Sequence, residues 1–283
     1  MEHHHPHELV PHGLLATRKW LAGKDVSRHQ LDNWLKSGAL VSLVPGVVTL
    51  PTTRKLSWQA VVVSLQRMPE HCGLTPGGIT ALEEQGYAHY IPRPLKLSQA
   101  LMGSRPIHIY GVDPLPAWLD RLTAQHLPGV RFVWHGTKEF GGRFLQNNSY
   151  DTQSGEHLMN QMAWGTDEWP LTISSPERAV FELLADIPDQ LAFQHADELL
   201  RGLPSLSPRK LTKLLELCES YKVRRLFLWF AERHQHPWLK HLDLTPYTME
   251  GGKLGSGKRV IAKEGRLDRK YLITVPEDMH GQK

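Results

Sequence analysis

Only two cysteines occur in the 283 residues, Cys72 and Cys218, and they form neither a Cys-x-x-Cys motif nor any close pair. That excludes a disulfide scaffold and a thiolate zinc site, and it fits a reducing compartment. Long apolar runs are missing too. The longest, Ala60–Val63 and Leu226–Ala231, fall far short of a membrane span. The Met1-Glu2-His3-His4-His5 opening lacks the apolar stretch of a secretory signal. A cytoplasmic protein with no membrane partner is expected. Catalytic signatures are equally scarce: there is no Gly-x-Ser-x-Gly elbow and no His-Glu-x-x-His.

Partial motifs fail on chemistry. The run Gly252-Lys253-Leu254-Gly255-Ser256-Gly257-Lys258-Arg259 nearly matches a phosphate-binding loop. Its last position is Arg259, so no hydroxyl reaches Mg²⁺, and Val260-Ile261-Ala262 favours a strand where a helix is required. No nucleotide and no other cofactor is expected. The histidines at 3, 4, 5, 7 and 12 have no carboxylate or cysteine at ligand spacing, so no metal site is assigned. His195-Ala196-Asp197-Glu198 and Glu232-Arg233-His234-Gln235-His236 hold residue types suited to acid–base work, but both adjoin apolar helix positions. Asp167 and Glu168 fall in a loop near Trp164 and Trp169. No catalytic residue is assigned, and the expectation is a protein that is not an enzyme.

What the chain does have is enough apolar residue for a core (40%) and a strongly segmented charge. Residues 165–204 carry net −6 and residues 205–283 carry net +7. The length suits two or three domains. The basic block either presents a face to nucleic acid or an acidic surface, or neutralises the acidic segment within the fold. Its members are Lys222, Arg224, Arg225 and Arg233 around an apolar helix, then Lys258, Arg259, Lys263, Arg266, Arg269 and Lys270 along the final β-segment.

Near the N-terminus, Thr17 can cap a short helix that ends at Gly23, and Ser27 can cap a second that runs to Ser37. In the second, Leu31, Trp34 and Leu35 form an i, i+3, i+4 stripe, and Gly38 stands where a helix-ending glycine belongs. Two short β-runs, Leu40–Val44 and Val47–Leu50, break at Pro45-Gly46. Helix, tight turn, helix and hairpin are the layout of a winged helix-turn-helix. Opposite the apolar stripe lie Arg28, His29, Asn33 and Lys36, side chains of the kind that read base edges and hold phosphate. Ser27 at the helix start and Arg18 and Lys19 on the short helix complete the expected DNA-binding set.

Farther along, helices are expected over Leu56–Met68, Gly78–Gln85, Pro116–Leu122, Pro176–Ile187, Ala192–Arg201, Pro208–Ser220 and Val223–His234. Strands are expected at Ile107–Tyr110, Val130–His135, Leu171–Ser174, Arg259–Ala262 and Tyr271–Val275, with a surface loop over Gln146–Gly155. The fold class is α+β, an N-terminal winged helix-turn-helix followed by a larger mixed C-terminal region in two lobes. Domain limits are set at 1–54, 55–165 and 166–283, the last ending in a β-hairpin.

Several stretches resemble one family along nearly the whole chain: VSRHQLDNWLKSGALVSLVPGVVTLP, GGITALEEQGYAHYIP, SSPERAVFELL, KVRRLFLWFAERHQHPWLKHLD, LGSGKRV and DRKYLITVP. The resemblance is to the AbiEi antitoxins of type IV abortive-infection toxin–antitoxin pairs, a phage-defence system. It implies an N-terminal domain that binds inverted repeats in its own promoter DNA and represses the operon. It also implies a C-terminal region that neutralises a nucleotidyltransferase-type toxin without a stable complex. On this chain the antitoxin basic surface would comprise Lys222, Arg224, Arg225, Lys258, Arg259 and Lys270. A monomer in solution that binds DNA in several copies is expected. The chain departs from the family at the wing, where Leu43-Val44-Pro45-Gly46 lacks the usual basic residue. Two other readings stay open: an antitoxin whose DNA module is vestigial, and a metal-dependent enzyme acting on nucleic acid.

Overall fold

Residues 5–87, 103–136, 157–188, 191–248 and 252–280 are described by the computed structural model. Two contact units divide the chain, and each is discontinuous. The first comprises Met1–Thr75, Gln99–His135 and Gln161–Thr172, and the second the remainder.

The first unit opens with a single helical turn, α1 (Pro6–Leu9), followed by strand β1 (Leu15–Thr17). The Thr17 hydroxyl accepts the Trp20 N–H at 3.0 Å and starts α2 (Arg18–Ala22), which stops at Gly23. Asp25, with φ of 61°, turns the chain, and Val26 N–H returns to the Leu21 carbonyl. Ser27 then caps α3 (Arg28–Lys36) by accepting the Gln30 N–H at 3.1 Å. A glycine is required at Gly38, whose φ of +75° follows the helix end. Strands β2 (Val41–Val44) and β3 (Val47–Thr49) form the hairpin. The sequence reading did not include β1, which pairs antiparallel with β3 and makes a three-stranded sheet in the order β1-β3-β2. All three of its residues are buried, so no alternation marks it as a strand.

Trp20, Leu21, Val26, Leu31, Leu40 and Val48 share one core with Met68, which lies just beyond α4 (Trp58–Gln66). Two further hydrogen bonds join α4 and its end to the module: Leu15 N–H to the Ser64 hydroxyl at 2.8 Å, and Arg67 to the Leu9 carbonyl at 3.4 Å. Arg67 also stacks between the Trp20 and Trp169 rings, at 5.6 and 5.3 Å. After α4 come β4 (Thr75–Pro76) and α5 (Gly78–Glu84), the latter in the second unit. β5 (Arg105–Gly111), α6 (Trp118–His126) and β6 (Val130–Gly136) follow, with the sheet ordered β4-β5-β6. α6 begins two residues later and ends four later than the expected helix, and β7 (Met159–Trp164), which pairs with β8 (Trp169–Ser174), was not expected.

The second unit is mostly helical: α7 (Pro176–Ala185), α8 (Phe193–Arg201), α9 (Pro208–Leu217) and α10 (Tyr221–His234) follow closely. From Val223 to Ala231 every residue of α10 is buried, and Phe227 stacks on Phe181 at 4.7 Å and on Trp238 at 5.5 Å. The chain closes with the hairpin β9 (Arg266–Asp268) and β10 (Ile273–Val275). Here the expectation of a strand over Arg259–Ala262 is corrected. That segment makes a single bridge, Arg259 to Ile273. The Thr274 hydroxyl captures the Ile261 N–H at 2.8 Å and donates to the Ala262 carbonyl at 2.7 Å, which removes those groups from a regular ladder. The loop expected over Gln146–Gly155 lies outside the described residues.

Candidate nucleic-acid interface

The α2–turn–α3 segment separates its two faces cleanly. Leu31 is buried and Trp34 and Leu35 are half-buried against the core, while Ser27, Arg28, His29, Asn33 and Lys36 are exposed. Arg18 and Lys19 are exposed on α2. All seven residues expected to contact DNA therefore lie on the surface of the first unit. Asn33 Nδ2 sits 3.2 Å from His29 Nε2, one helical turn apart, which aligns the two side chains. Arg18 approaches Asp32 at 3.6 Å and Lys19 approaches Glu70 at 3.7 Å. With the Arg18–Asp32 pair roughly 40% exposed on both sides, water screens it, and phosphate can replace the carboxylate at little cost. From Arg18 to Lys36 there are five cations and two acids, a local excess suited to a phosphate backbone. The turn of the wing is Pro45-Gly46, with no cation at its tip.

The residues expected to form an antitoxin surface are not of one kind. Lys258 and Arg259 are exposed. Lys270 is exposed but paired with Glu232, and Lys222 Nζ donates to the Ala185 carbonyl at 2.6 Å. Arg224 and Arg225 are corrected: both are buried, Arg225 completely. Arg224 donates to the carbonyls of Leu215 and Lys253, at 3.2 and 2.8 Å. Arg225 donates to those of Leu254, Gly255, Gly257 and Leu272, at 2.7–3.3 Å. The loop that imitates a phosphate cradle in sequence thus has the opposite polarity in space, since it turns carbonyls toward an internal cation. Gly255 must be glycine, because a Cβ there would meet the Tyr221 ring at 2.8 Å. A signal was available in the sequence: an arginine beside the continuous apolar run Leu226–Ala231 belongs to a buried helix.

The acid–base candidates also resolve into structure. Asp197 accepts Arg233 Nε at 2.8 Å and Arg201 at 3.1 Å, with His234 Nε2 2.9 Å away. Burial raises its carboxyl, but His234 and Arg233 outweigh that and hold it below the usual carboxylate range. His236 is buried, and burial followed by the nearby His234 pushes its imidazole down. The SSPERA stretch is a packing device. Ser175 caps α7 through the Arg178 N–H, and Arg178 pairs internally with Glu182 at 2.9 Å. Glu182 in turn accepts the Gly78 N–H and the Ser174 hydroxyl, and Glu177 accepts the Ser207 N–H, so one stretch joins α5, α7, β8 and the start of α9.

Short helix, tight turn, exposed polar helix and hairpin define a winged helix-turn-helix, joined in one chain to a second, helical unit. Two family models match the chain. Residues 104–276 match the family described as a transcriptional regulator, the AbiEi antitoxin of a type IV toxin–antitoxin system, and residues 3–93 match the N-terminal domain of the AbiEi antitoxin. The chain belongs to the AbiEi family of antitoxins and transcriptional regulators. No curated protein matches it. Among solved structures, the RV2827C protein from Mycobacterium tuberculosis is similar with a TM-score of 0.44 and 14% identity, covering 92% of this chain and 85% of that one.

Proposed function

We propose that this protein represses its own operon by inserting α3 into the major groove at inverted repeats in the promoter. Arg28 and Asn33 read base edges there, and Lys36, Arg18 and Lys19 hold phosphate. One observation carries this reading: the polar face of α3 is exposed along its length, from Ser27 to Lys36, while Leu31, Trp34 and Leu35 anchor it from behind. Repression follows from occupancy of the promoter. Two copies on a palindrome place their reading helices about 34 Å apart. The second unit serves as the antitoxin, neutralising a nucleotidyltransferase-type toxin without a stable complex, with Lys258 and Arg259 as its exposed cations. No catalytic step belongs to the chain itself, and its site of action is the cytoplasm. Among the described residues no helix is long and apolar enough to cross a membrane.

The test is promoter binding by fluorescence anisotropy with Arg28→Ala and Asn33→Ala. Each is expected to weaken specific binding by about 1–3 kcal/mol, the worth of a good base contact, without changing the thermal midpoint. Two folded variants that bind promoter DNA as well as the parent would remove α3 as the reading helix.

A further inference from the structure

A cavity of about 950 Å³ opens within the first unit, and all of its lining residues belong to that unit. That volume is in the range of organic-ligand sites. Three indoles line it: Trp58, which is buried, and Trp164 and Trp169, which are half-buried. Leu43 of the wing strand β2 lines the same space. The charged residues of the lining are Arg54 and Lys55 against a single carboxylate, Asp167. Arg54 gives one N–H to the Thr166 hydroxyl at 3.2 Å and keeps further donors. Lys55 is exposed and has no ion-pair partner among the described residues.

We propose that this cavity binds an aromatic organic anion and that its occupancy weakens promoter binding. Flat indole walls take a planar ring, and two cations against one acid select a carboxylate or similar anion over an amine. The link to DNA is geometric. His126, at the end of α6, lies on the cavity and bonds the Leu43 carbonyl at 3.0 Å. A ring lodged against Leu43 and this contact shifts β2, and because the Gly46 carbonyl at the wing tip accepts the Arg18 N–H at 2.9 Å, the shift reaches the start of α2, where Arg18 and Lys19 hold phosphate in the promoter reading. The effector claim rests on the promoter reading above; the binding claim does not.

The experiment titrates the full chain with 1-naphthoate by isothermal calorimetry, with 1-naphthylmethylamine as the cationic counterpart. Saturable binding is expected for naphthoate, at least tenfold tighter than for the amine. Lys55→Gln and Trp164→Ala should each weaken it fivefold or more at an unchanged thermal midpoint, and Arg28→Ala should leave it alone. Lys55 is exposed, so its variant reports even if Trp164→Ala unfolds. Absence of saturable naphthoate binding, an equal affinity for the amine, or indifference to Lys55→Gln overturns the site. Saturating naphthoate should then weaken promoter binding threefold or more by anisotropy. Unchanged DNA affinity overturns the effector role alone, and a chain that binds naphthoate but no promoter DNA overturns the promoter reading and the effector role together.

Discussion

Arg225 shows how a residue's surroundings decide its role. All four acceptors of its guanidinium are backbone carbonyls, so its charge is met by dipoles, three of them from the glycine-rich loop. Replacing it with methionine leaves the Leu254 and Gly255 carbonyls without this donor inside the fold, while the Leu272 carbonyl keeps the Arg259 N–H. Arg225→Met should cost about 1–3 kcal/mol for a buried carbonyl left without its donor, read as a lower urea midpoint. Lysine should recover only part, because it lacks the planar fork. His236 acts through protonation. Its folded value lies below the ordinary 6.5, so as pH falls the unfolded chain takes the proton first. The stability it contributes is complete above about 6.5 and is lost as pH drops toward the folded value. His71, lowered chiefly by burial, acts in the same direction, whereas Asp197, also held low, contributes above the usual carboxylate range and fails only in stronger acid. The urea midpoint should therefore fall between pH 7 and pH 5. His236→Phe, which keeps a ring against Trp238, should flatten part of that slope.

At the scale of elements, α3 is a short helix made regular by its ends. The Ser27 cap at 3.1 Å and the positive φ at Gly38 fix its start and stop, and the buried stripe fixes its rotation. The wing contributes shape without charge, since Pro45-Gly46 carries no cation. Phosphate contacts then fall to Arg18, Lys19 and Lys36. At about 0.9 per contact, three cations give a log K against log salt slope no steeper than about −2.7 per bound copy. A measured slope near zero would mean the module does not grip the backbone, which is what a vestigial DNA module predicts.

The whole molecule couples these parts unevenly. The winged module shares its core with Met68 and a hydrogen bond with Ser64, so it is embedded in a larger unit built from three separate segments. Excising it would strip one face of α4, and for that reason the two roles are best separated by surface variants of the full chain. The Arg28→Ala/Asn33→Ala double variant should release a promoter reporter yet still rescue growth from the toxin. Loss of both activities at normal protein abundance would mean that α3 serves neutralisation as well.

Local chemistry was enough to write the α2–α3 segment and its hairpin, because each rests on near-neighbour forces: a serine or threonine oxygen meeting an N–H three residues on, a glycine at positive φ, a Pro-Gly turn. The same holds for α7, α9 and α10. Strand β1 could not be read this way, since burial on both faces erases the period-two signal. Nor could the Arg259–Ala262 bend, which depends on a hydroxyl twelve or more residues away at Thr274. The fate of charges was the least legible feature, because two arginines identical in composition differ only in whether distant carbonyls converge on them. Sequence alone determined which segment forms a helix with a polar face opposite an apolar stripe. Tertiary structure alone decided which cations are exposed to meet a partner and which are held inside, because burial and long-range hydrogen bonds exist only once remote segments pack.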